Sequence, residues 1–358
     1  MRLNKDISLT VILLIGIVIL SFVNIEEARP KIESSENIRY DESTNTLYLD
    51  SLTIKQKIAQ MVVTSGVKEN KEELHELFIG GVYFGAEPAK SDYIYVINFF
   101  QDGAIVPLFI ATDMEGFRNP FENFQKFPVF TEIQTKEQAY DIGYEQGKLL
   151  KELGFNLNFA PVVDLEDNIW NCRNLPGTPE EIAEKADYYI DGLQENQIIA
   201  TSKHYPGKTL SSRDPHKFIV NAVVDKNDLF PFEQNIENKV SAVMVSHIII
   251  KGHVDSGSKP SVVSEKIISG LRNKFTGLIV TDAISLLGLK NFYADEQRMY
   301  IDLFKAGNDI VLNFDYNIEN VQHMIDIVAN AVERGEISEE KIDDSVTRIL
   351  NAKGINVK

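Results

Sequence analysis

The sequence predicts an all-parallel α/β architecture, closed into a (β/α)8 barrel of the TIM type and preceded by an apolar segment. Three observations lead there. Eight short apolar runs recur along the chain, each separated from the next by an amphipathic helical stretch. The runs are continuously apolar rather than alternating, as strands covered on both faces must be. No G-x-G-x-x-G follows any of them, which weakens an open dinucleotide-binding sheet, and a count of eight favours closure.

Taken in order, Arg2 and Lys5 precede an uncharged apolar run from Ile7 to Val23, intermediate in length between a signal-peptide core and a short spanning helix. No clean small-x-small cleavage site follows, and no cysteine follows to carry a lipid. Residues 1–28 are therefore read as an export signal retained as a membrane anchor, with the rest of the chain outside the cytoplasm; cleavage would make it a secreted protein. Residues 29–47 are polar and serine-rich and read as a linker. Residues 48–358 form the barrel domain. Thr53 caps a helix through Ile54, Ile58 and Met61, and strands follow at Met61–Thr64, Gly80–Gly85 and Pro107–Asp113, with a helix through Tyr93, Ile97 and Phe100 before the third. Thr135-Lys-Glu-Gln138 is a capping box opening a helix to Gly154, and Phe155–Ala160 is the fourth strand. Thr178-Pro179-Glu180-Glu181 is a stronger box with proline at the first helical position, leading to the fifth strand at Ile198–Thr201. Helices from about Asp228, from Val263 to Phe275 and from Glu296 to Gly307 precede strands Ala242–His247, Gly277–Asp282 and Asp309–Asn313. Two helices close the chain, the last capped by Ser338.

Composition bounds the function. The 358 residues are 44% hydrophobic and 25% charged, an ordinary globular balance. A net charge of −17 argues against nucleic acid, since phosphate binding needs a basic surface. Cys172 is the only cysteine, so there is no internal disulfide, and no Cys/His cluster has zinc spacing. No phosphate loop is present either, and the reading calls for no metal or cofactor.

Polar residues gather at the strand ends. The third strand ends at Asp113, followed by Glu115; the fourth leads through Asp164 to a loop holding Arg173. The fifth delivers Lys203 and His204, the sixth His247 and the seventh Asp282. In a barrel these ends converge on one face, where active sites are built. The loop after His204 carries Asp214-Pro215-His216, a carboxylate two residues from an imidazole; such a partner fixes the tautomer and makes the other nitrogen a better proton shuttle. This set permits displacement at a sugar carbon. Asp282 would be the nucleophile and His216, paired with Asp214, the acid and base, an imidazole standing where one of two carboxylates is usual. Lys203, His204, Arg173 and Asp113 would hold sugar hydroxyls. If His216 is not the acid, Glu115, Asp164 and His247 are the alternatives.

Lys203-His204-Tyr205-Pro206-Gly207 followed by Asp214-Pro215-His216 resembles the K-H-F-P-G-H-G…D-S-H signature of glycoside hydrolase family 3 β-N-acetylhexosaminidases, with the same thirteen-residue interval from lysine to histidine. Gly154 to Asp164 resembles the family's G-[IF]-N-x-N-F-A-P-V-x-D, and Gly277 to Asp282 its G-[VL]-I-x-[ST]-D. Asp113 to Arg118 resembles D-Q-E-G-G-R, and Arg173-Asn-Leu-Pro resembles R-S-F-G. The resemblance spans about Leu52 to Gly354. It implies a single-domain barrel, a retaining mechanism, Asp282 as nucleophile, His216 as acid/base with Asp214 as its partner, and Asp113, Arg173, Lys203 and His204 as sugar contacts. The expected partner is an N-acetylglucosamine-containing oligosaccharide from peptidoglycan or chitin. Competing readings are another β-glycosidase, a phosphorylase, or a tethered sugar-binding protein without catalysis. The chain departs from the pattern at Lys208 and Thr209, where the family has histidine and glycine, at Pro215 in place of serine, and at Phe121, where an arginine is usual.

Overall fold

The computed structural model describes residues 38–117 and 119–358, so the apolar run expected to anchor the chain lies outside the described residues. The eight expected strands are β1 (Val62–Ser65), β2 (Gly81–Tyr83), β3 (Phe109–Thr112), β4 (Leu157–Asn158), β5 (Ile199–Tyr205), β6 (Ala242–Val245), β7 (Leu278–Thr281) and β8 (Val311–Asn313). They form one parallel sheet in the order β7-β6-β5-β4-β3-β2-β1-β8. A single parallel bridge from Val280 to Ile310 brings β7 round to β8. That seam has side-chain reinforcement. The Asp309 carboxylate, fully buried, accepts the Ile279 N–H at 2.7 Å and Arg348 Nε at 2.9 Å, and also pairs with Arg272. The result is a nearly closed barrel of the TIM type, with continuously buried strands.

Helices cover the outside: α1 (Ile54–Gln60), α2 (Lys71–Glu76), α3 (Lys90–Gln101), α4 (Lys136–Leu153), α5 (Pro179–Glu195), α6 (Lys226–Glu237), α7 (Glu265–Arg272), α8 (Glu296–Ala306), α9 (Ile318–Glu333) and α10 (Glu339–Ala352). The capping boxes expected at Thr135 and Thr178 form, and Thr53, expected as a cap, makes a box as well: each threonine hydroxyl accepts an N–H three residues on and each Gln or Glu side chain accepts the threonine's own N–H. Elsewhere the boundaries move. Asp225, not Asp228, caps α6, because its carboxylate accepts the Asn227 and Asp228 N–H groups. The stretch expected to be helical from Val263 splits into a 3-10 turn at Ser261–Val263 and α7, because the Ser264 hydroxyl takes the Ile267 N–H and restarts the helix. Ser338 occupies the cap position of α10 without a side-chain capping bond.

Part of the expected linker is structured. Tyr40–Asp41 and Thr46–Leu47 pair as a hairpin, and Asn356–Val357 at the far end of the chain adds a third strand parallel to Thr46–Leu47. Ile38 and Leu47 are buried in the core, so apolar burial and the C-terminal strand hold residues that look like polar linker in isolation. A second small parallel sheet, Asn221–Val224 with Ile249–Gly252, carries the chain between the D-P-H loop and the segment after β6.

The backbones of α4 and α5 approach each other closely. Gly143 and Gly192 lie where the two backbones meet: a Cβ at Gly143 would stand 2.2 Å from the Tyr189 carbonyl oxygen, and one at Gly192 would stand 2.5 Å from that of Tyr140. Gly143→Ala should therefore lower stability by about 1–3 kcal/mol through overpacking. Gly270→Ala, on the exposed face of α7 with nothing within 4 Å of its Cβ, should raise it by about 0.4–1 kcal/mol. Urea unfolding of the two variants checks the pair; changes of the same sign would contradict the packing account.

Candidate active site

The C-terminal ends of β2 to β8 enclose a cleft of about 570 Å³. Its lining includes Asp113, Arg173, Lys203, His204, His216 and Asp282, so six of the seven expected site residues face one space. Asp214, the seventh, stands behind His216. β5 supplies two of these residues in succession, although neighbours on a strand normally face opposite ways. A bulge resolves this. Lys203 pairs with Met244 and Tyr205 with Val245, so His204 is skipped in the register and both side chains reach the cleft. The Lys203–His204 and Tyr205–Pro206 peptides are cis.

On the floor, Glu115 is the hub. Its carboxylate takes Arg173 Nε at 2.7 Å and a second guanidinium nitrogen at 2.8 Å, and lies 2.5 Å from Lys203 Nζ. Lys203 also donates to Asp113 at 2.7 Å. Burial opposes the charge on Glu115, but Arg173 and Lys203 overcome it and hold the carboxyl well below the ordinary glutamate range. Glu115 is thus not a free proton donor. Asp164 is equally committed: its Oδ2 accepts His204 Nδ1 at 2.8 Å and the His204 N–H at 3.1 Å, while Oδ1 accepts the Thr209 N–H at 2.9 Å. His204 therefore presents Nε2 to the cleft.

The Arg173 loop is organised by Asp167, which the sequence reading missed. Its buried carboxylate accepts the N–H groups of Ile169, Trp170, Cys172 and Arg173 at 2.9–3.2 Å. An aspartate six residues before an arginine, in a loop with no regular structure, is the only signal that could have pointed to it.

At the rim, Asp214 Oδ1 accepts His216 Nδ1 at 2.7 Å and the His216 N–H at 3.0 Å, leaving Nε2 as the nitrogen that can exchange a proton. Asp282 Oδ1 accepts the Ala283 N–H at 2.7 Å, which orients the carboxylate and leaves Oδ2 for chemistry. Burial would raise the Asp282 carboxyl, but the fields of His247, His204 and His216 outweigh it and keep the group below its usual value, ionised at neutral pH. His247 is 2% exposed, and neither of its ring nitrogens has a hydrogen-bond partner. Burial pushes its imidazole below the ordinary value against the opposing influence of Asp282, and the buried ring does not line the cleft where a substrate would sit.

The Glu115 pairing has a pH signature. Its folded value is depressed, so its contribution to stability is complete above the ordinary glutamate value of about 4.3 and is lost as the pH falls through the folded value. Glu115→Gln should cost about 3–5 kcal/mol at pH 7, since it leaves buried Arg173 without its paired carboxylate and Lys203 with Asp113 alone. The gap to wild type should narrow as the pH falls below about 4. Unfolding curves at several pH values measure this, and a gap independent of pH would refute the account.

A family model described as "Glycosyl hydrolase family 3 N terminal domain" matches residues 53–352. Among curated relatives, Beta-hexosaminidase LpqI of Mycobacterium bovis (strain BCG / Pasteur 1173P2) is 24% identical over 332 residues, covering 85% of this chain and 84% of the relative. A Beta-hexosaminidase of Tolumonas auensis is 29% identical over 267 residues, covering 68% and 78%. Among solved structures, a glycoside hydrolase family 3 beta-N-acetylglucosaminidase from Paenibacillus sp. str. FPU-7 superposes with a TM-score of 0.74 at 26% identity. That match covers 85% of this chain but only 62% of the Paenibacillus chain. A family 3 glycosyl hydrolase from Mycobacterium smegmatis superposes with a TM-score of 0.77 at 25% identity, covering 86% and 98%. The match to the family model runs from α1 to the end of α10, through every barrel strand, and this chain belongs to glycosyl hydrolase family 3.

Proposed function

We propose that the protein is a retaining, exo-acting β-N-acetylglucosaminidase that removes terminal β-linked N-acetylhexosamine from peptidoglycan fragments or chitin-type oligosaccharides. The observation that carries this reading is the Asp214–His216 pair, with Nε2 left for proton transfer, at the mouth of a cleft whose wall holds an ionised Asp282. The names of the relatives agree with it. In the first step Asp282 Oδ2 attacks the anomeric carbon, the bond to the leaving oxygen breaks, and His216 gives that oxygen its proton. In the second His216 takes a proton from water, which attacks the anomeric carbon and frees Asp282, so the configuration is retained. Lys203, Arg173, Asp113 and His204 hold the sugar hydroxyls. Lys203 pairs with Asp113, while Glu115 holds Arg173 and Asp164 holds His204, so the four are fixed before the substrate arrives and little reorganisation is left for binding.

The experiment is a variant series on paired chromogenic substrates. A 2-acetamido β-glucoside should be cleaved with higher kcat/KM than the matching β-glucoside. Asp282→Ala should abolish turnover of both. His216→Ala should spare the first step when the leaving group is acidic enough to need no proton, show a burst, and regain rate with azide, giving a β-glycosyl azide. Asp214→Ala should resemble a milder His216→Ala, within the roughly 10²–10⁴-fold that acid–base assistance supplies. Equal loss on good and poor leaving groups with no azide effect would remove His216 from the role, and a glycosyl phosphate formed on adding phosphate would make the protein a phosphorylase.

We further propose that residues 1–28 tether this enzyme to a membrane, outside the cytoplasm. The uncharged run from Ile7 to Val23, preceded by Arg2 and Lys5, supports this. The full-length protein should sediment with membranes and resist extraction by high salt; recovery in the cytosolic fraction would refute the tether.

A further inference from the structure

One side of the cleft differs in chemistry from the charged floor. Trp170, the only tryptophan of the chain, meets the His216 imidazole edge-on at 5.4 Å. Its ring also lies 4.9 Å from the Arg173 guanidinium and 6.2 Å from the Phe117 ring. Phe117 stands where the family pattern D-Q-E-G-G-R has its second glycine, so this chain has added an aromatic side chain at that point. Both rings line the cleft and are only partly buried.

The wall is built rather than incidental. Asp167 fixes the Trp170 N–H at 2.9 Å, and Asn168 ties the same loop to the His216 loop, its N–H reaching the Leu210 carbonyl at 3.0 Å and its Nδ2 the Ser211 carbonyl at 2.8 Å. The indole therefore keeps its place relative to the acid/base. On the other flank of His216, Leu286 lines the cleft and the Leu287 N–H holds the His216 carbonyl at 3.0 Å.

A leaving oxygen has to come within reach of His216 Nε2 to receive its proton, so whatever is bonded to that oxygen lies against this wall. A pyranose has one face of C–H bonds that packs on an aromatic ring, with hydroxyls around its edge left for water. Resting on the glycosidase reading above, we propose that Phe117 and Trp170 form the leaving-group subsite and that its occupant is a second sugar ring. The substrate is then an oligosaccharide recognised on both sides of the scissile bond, rather than a glycoside of a small alcohol or a peptide.

The test uses the full chain and two substrates with the same N-acetylglucosaminyl group: its β-1,4-linked disaccharide and its β-fluoride, whose leaving group has no ring. Trp170→Ala should lower kcat/KM on the disaccharide by roughly tenfold or more, the size of one aromatic contact, and leave the fluoride within about threefold of wild type. Phe117→Gly should show the same pattern at smaller size, and Trp170→Phe should restore most of the disaccharide rate. A second measurement is the partition of the glycosyl-enzyme between water and added methyl β-N-acetylglucosaminide. Both acceptors need His216 as base, so their ratio is blind to any loss in His216 itself; wild type should form transfer product and Trp170→Ala should not. Equal losses on both substrates with an unchanged partition ratio would overturn the proposal and leave Trp170 as a buttress for His216. Failure of wild type to cleave either substrate would overturn the glycosidase reading, and the proposal with it. If Trp170→Ala does not fold, Phe117→Gly and Trp170→Phe carry the same comparison.

Discussion

Glu115 lies between Arg173 and Lys203 with almost no solvent access, and two loops and a strand converge there. The loop after β3 brings the carboxylate, the loop after β4 brings the guanidinium, and β5 brings the ammonium. Neither cation would be stable at this depth alone, because removing one partner of a buried pair leaves a charge with neither water nor a counter-ion. The bidentate geometry of Arg173 fixes direction as well as charge. Asp113 shares Lys203 but keeps a side chain that is 39% exposed, so the cluster ends in a carboxylate that can reach a ligand. The floor of the cleft is thus a closed electrostatic unit with one open edge, and the sugar-binding roles proposed for Asp113 and Lys203 depend on Glu115 having no other task.

The same chemical pair occurs twice, in two settings. In His204–Asp164 the imidazole Nδ1 meets a carboxylate at 2.8 Å, and the side chains are 5% and 0% exposed. In His216–Asp214 the same atoms meet at 2.7 Å, with side chains 43% and 19% exposed. The buried pair is locked by further bonds from the His204 and Thr209 N–H groups, and its orientation cannot change without leaving a carboxylate unsatisfied. The exposed pair sits on a loop where water and a leaving group can both reach Nε2. Environment, rather than residue identity, separates a positioning histidine from one able to exchange protons.

How far the sequence could be read follows from where each partner lies along the chain. The strands, the threonine capping boxes and the polar strand ends are local patterns, and all appear at the expected places. The hairpin at Tyr40–Leu47 is not local: its third strand is more than 300 residues away, so its residues read as linker. Glu115 and Asp164 were legible as carboxylates near the site, and each was a possible acid. Only the contact with Arg173 and Lys203 in one case, and with His204 in the other, shows that these carboxylates are already committed. Trp170 and Asp167 belong to an irregular loop, where no periodicity reports which side chains face inward.

Each departure from the family pattern finds a physical account in its surroundings. Phe121 is fully buried, 5.0 Å from the Tyr93 ring and 5.7 Å from that of Phe155, so the position has become part of an aromatic cluster under the cleft rim. Lys208 adopts a left-handed φ of +63° and sends its Nζ to within 3.4 Å of Asp228 and 3.6 Å of Glu166. It thereby joins the start of the His216 loop both to α6 and to the loop after β4. Thr209 replaces a glycine yet keeps the N–H that Asp164 requires, and its hydroxyl adds a contact to the His204 carbonyl at 3.4 Å. Pro215 cannot donate, but no donor is needed there. The Asp214 carbonyl accepts the Lys217 N–H at 3.1 Å and the Asp214 carboxylate accepts that of His216, a turn in which proline at the second position is favourable. A proline that presets this turn reduces the conformations open to the loop before folding, which favours the pose that holds His216 against Asp214.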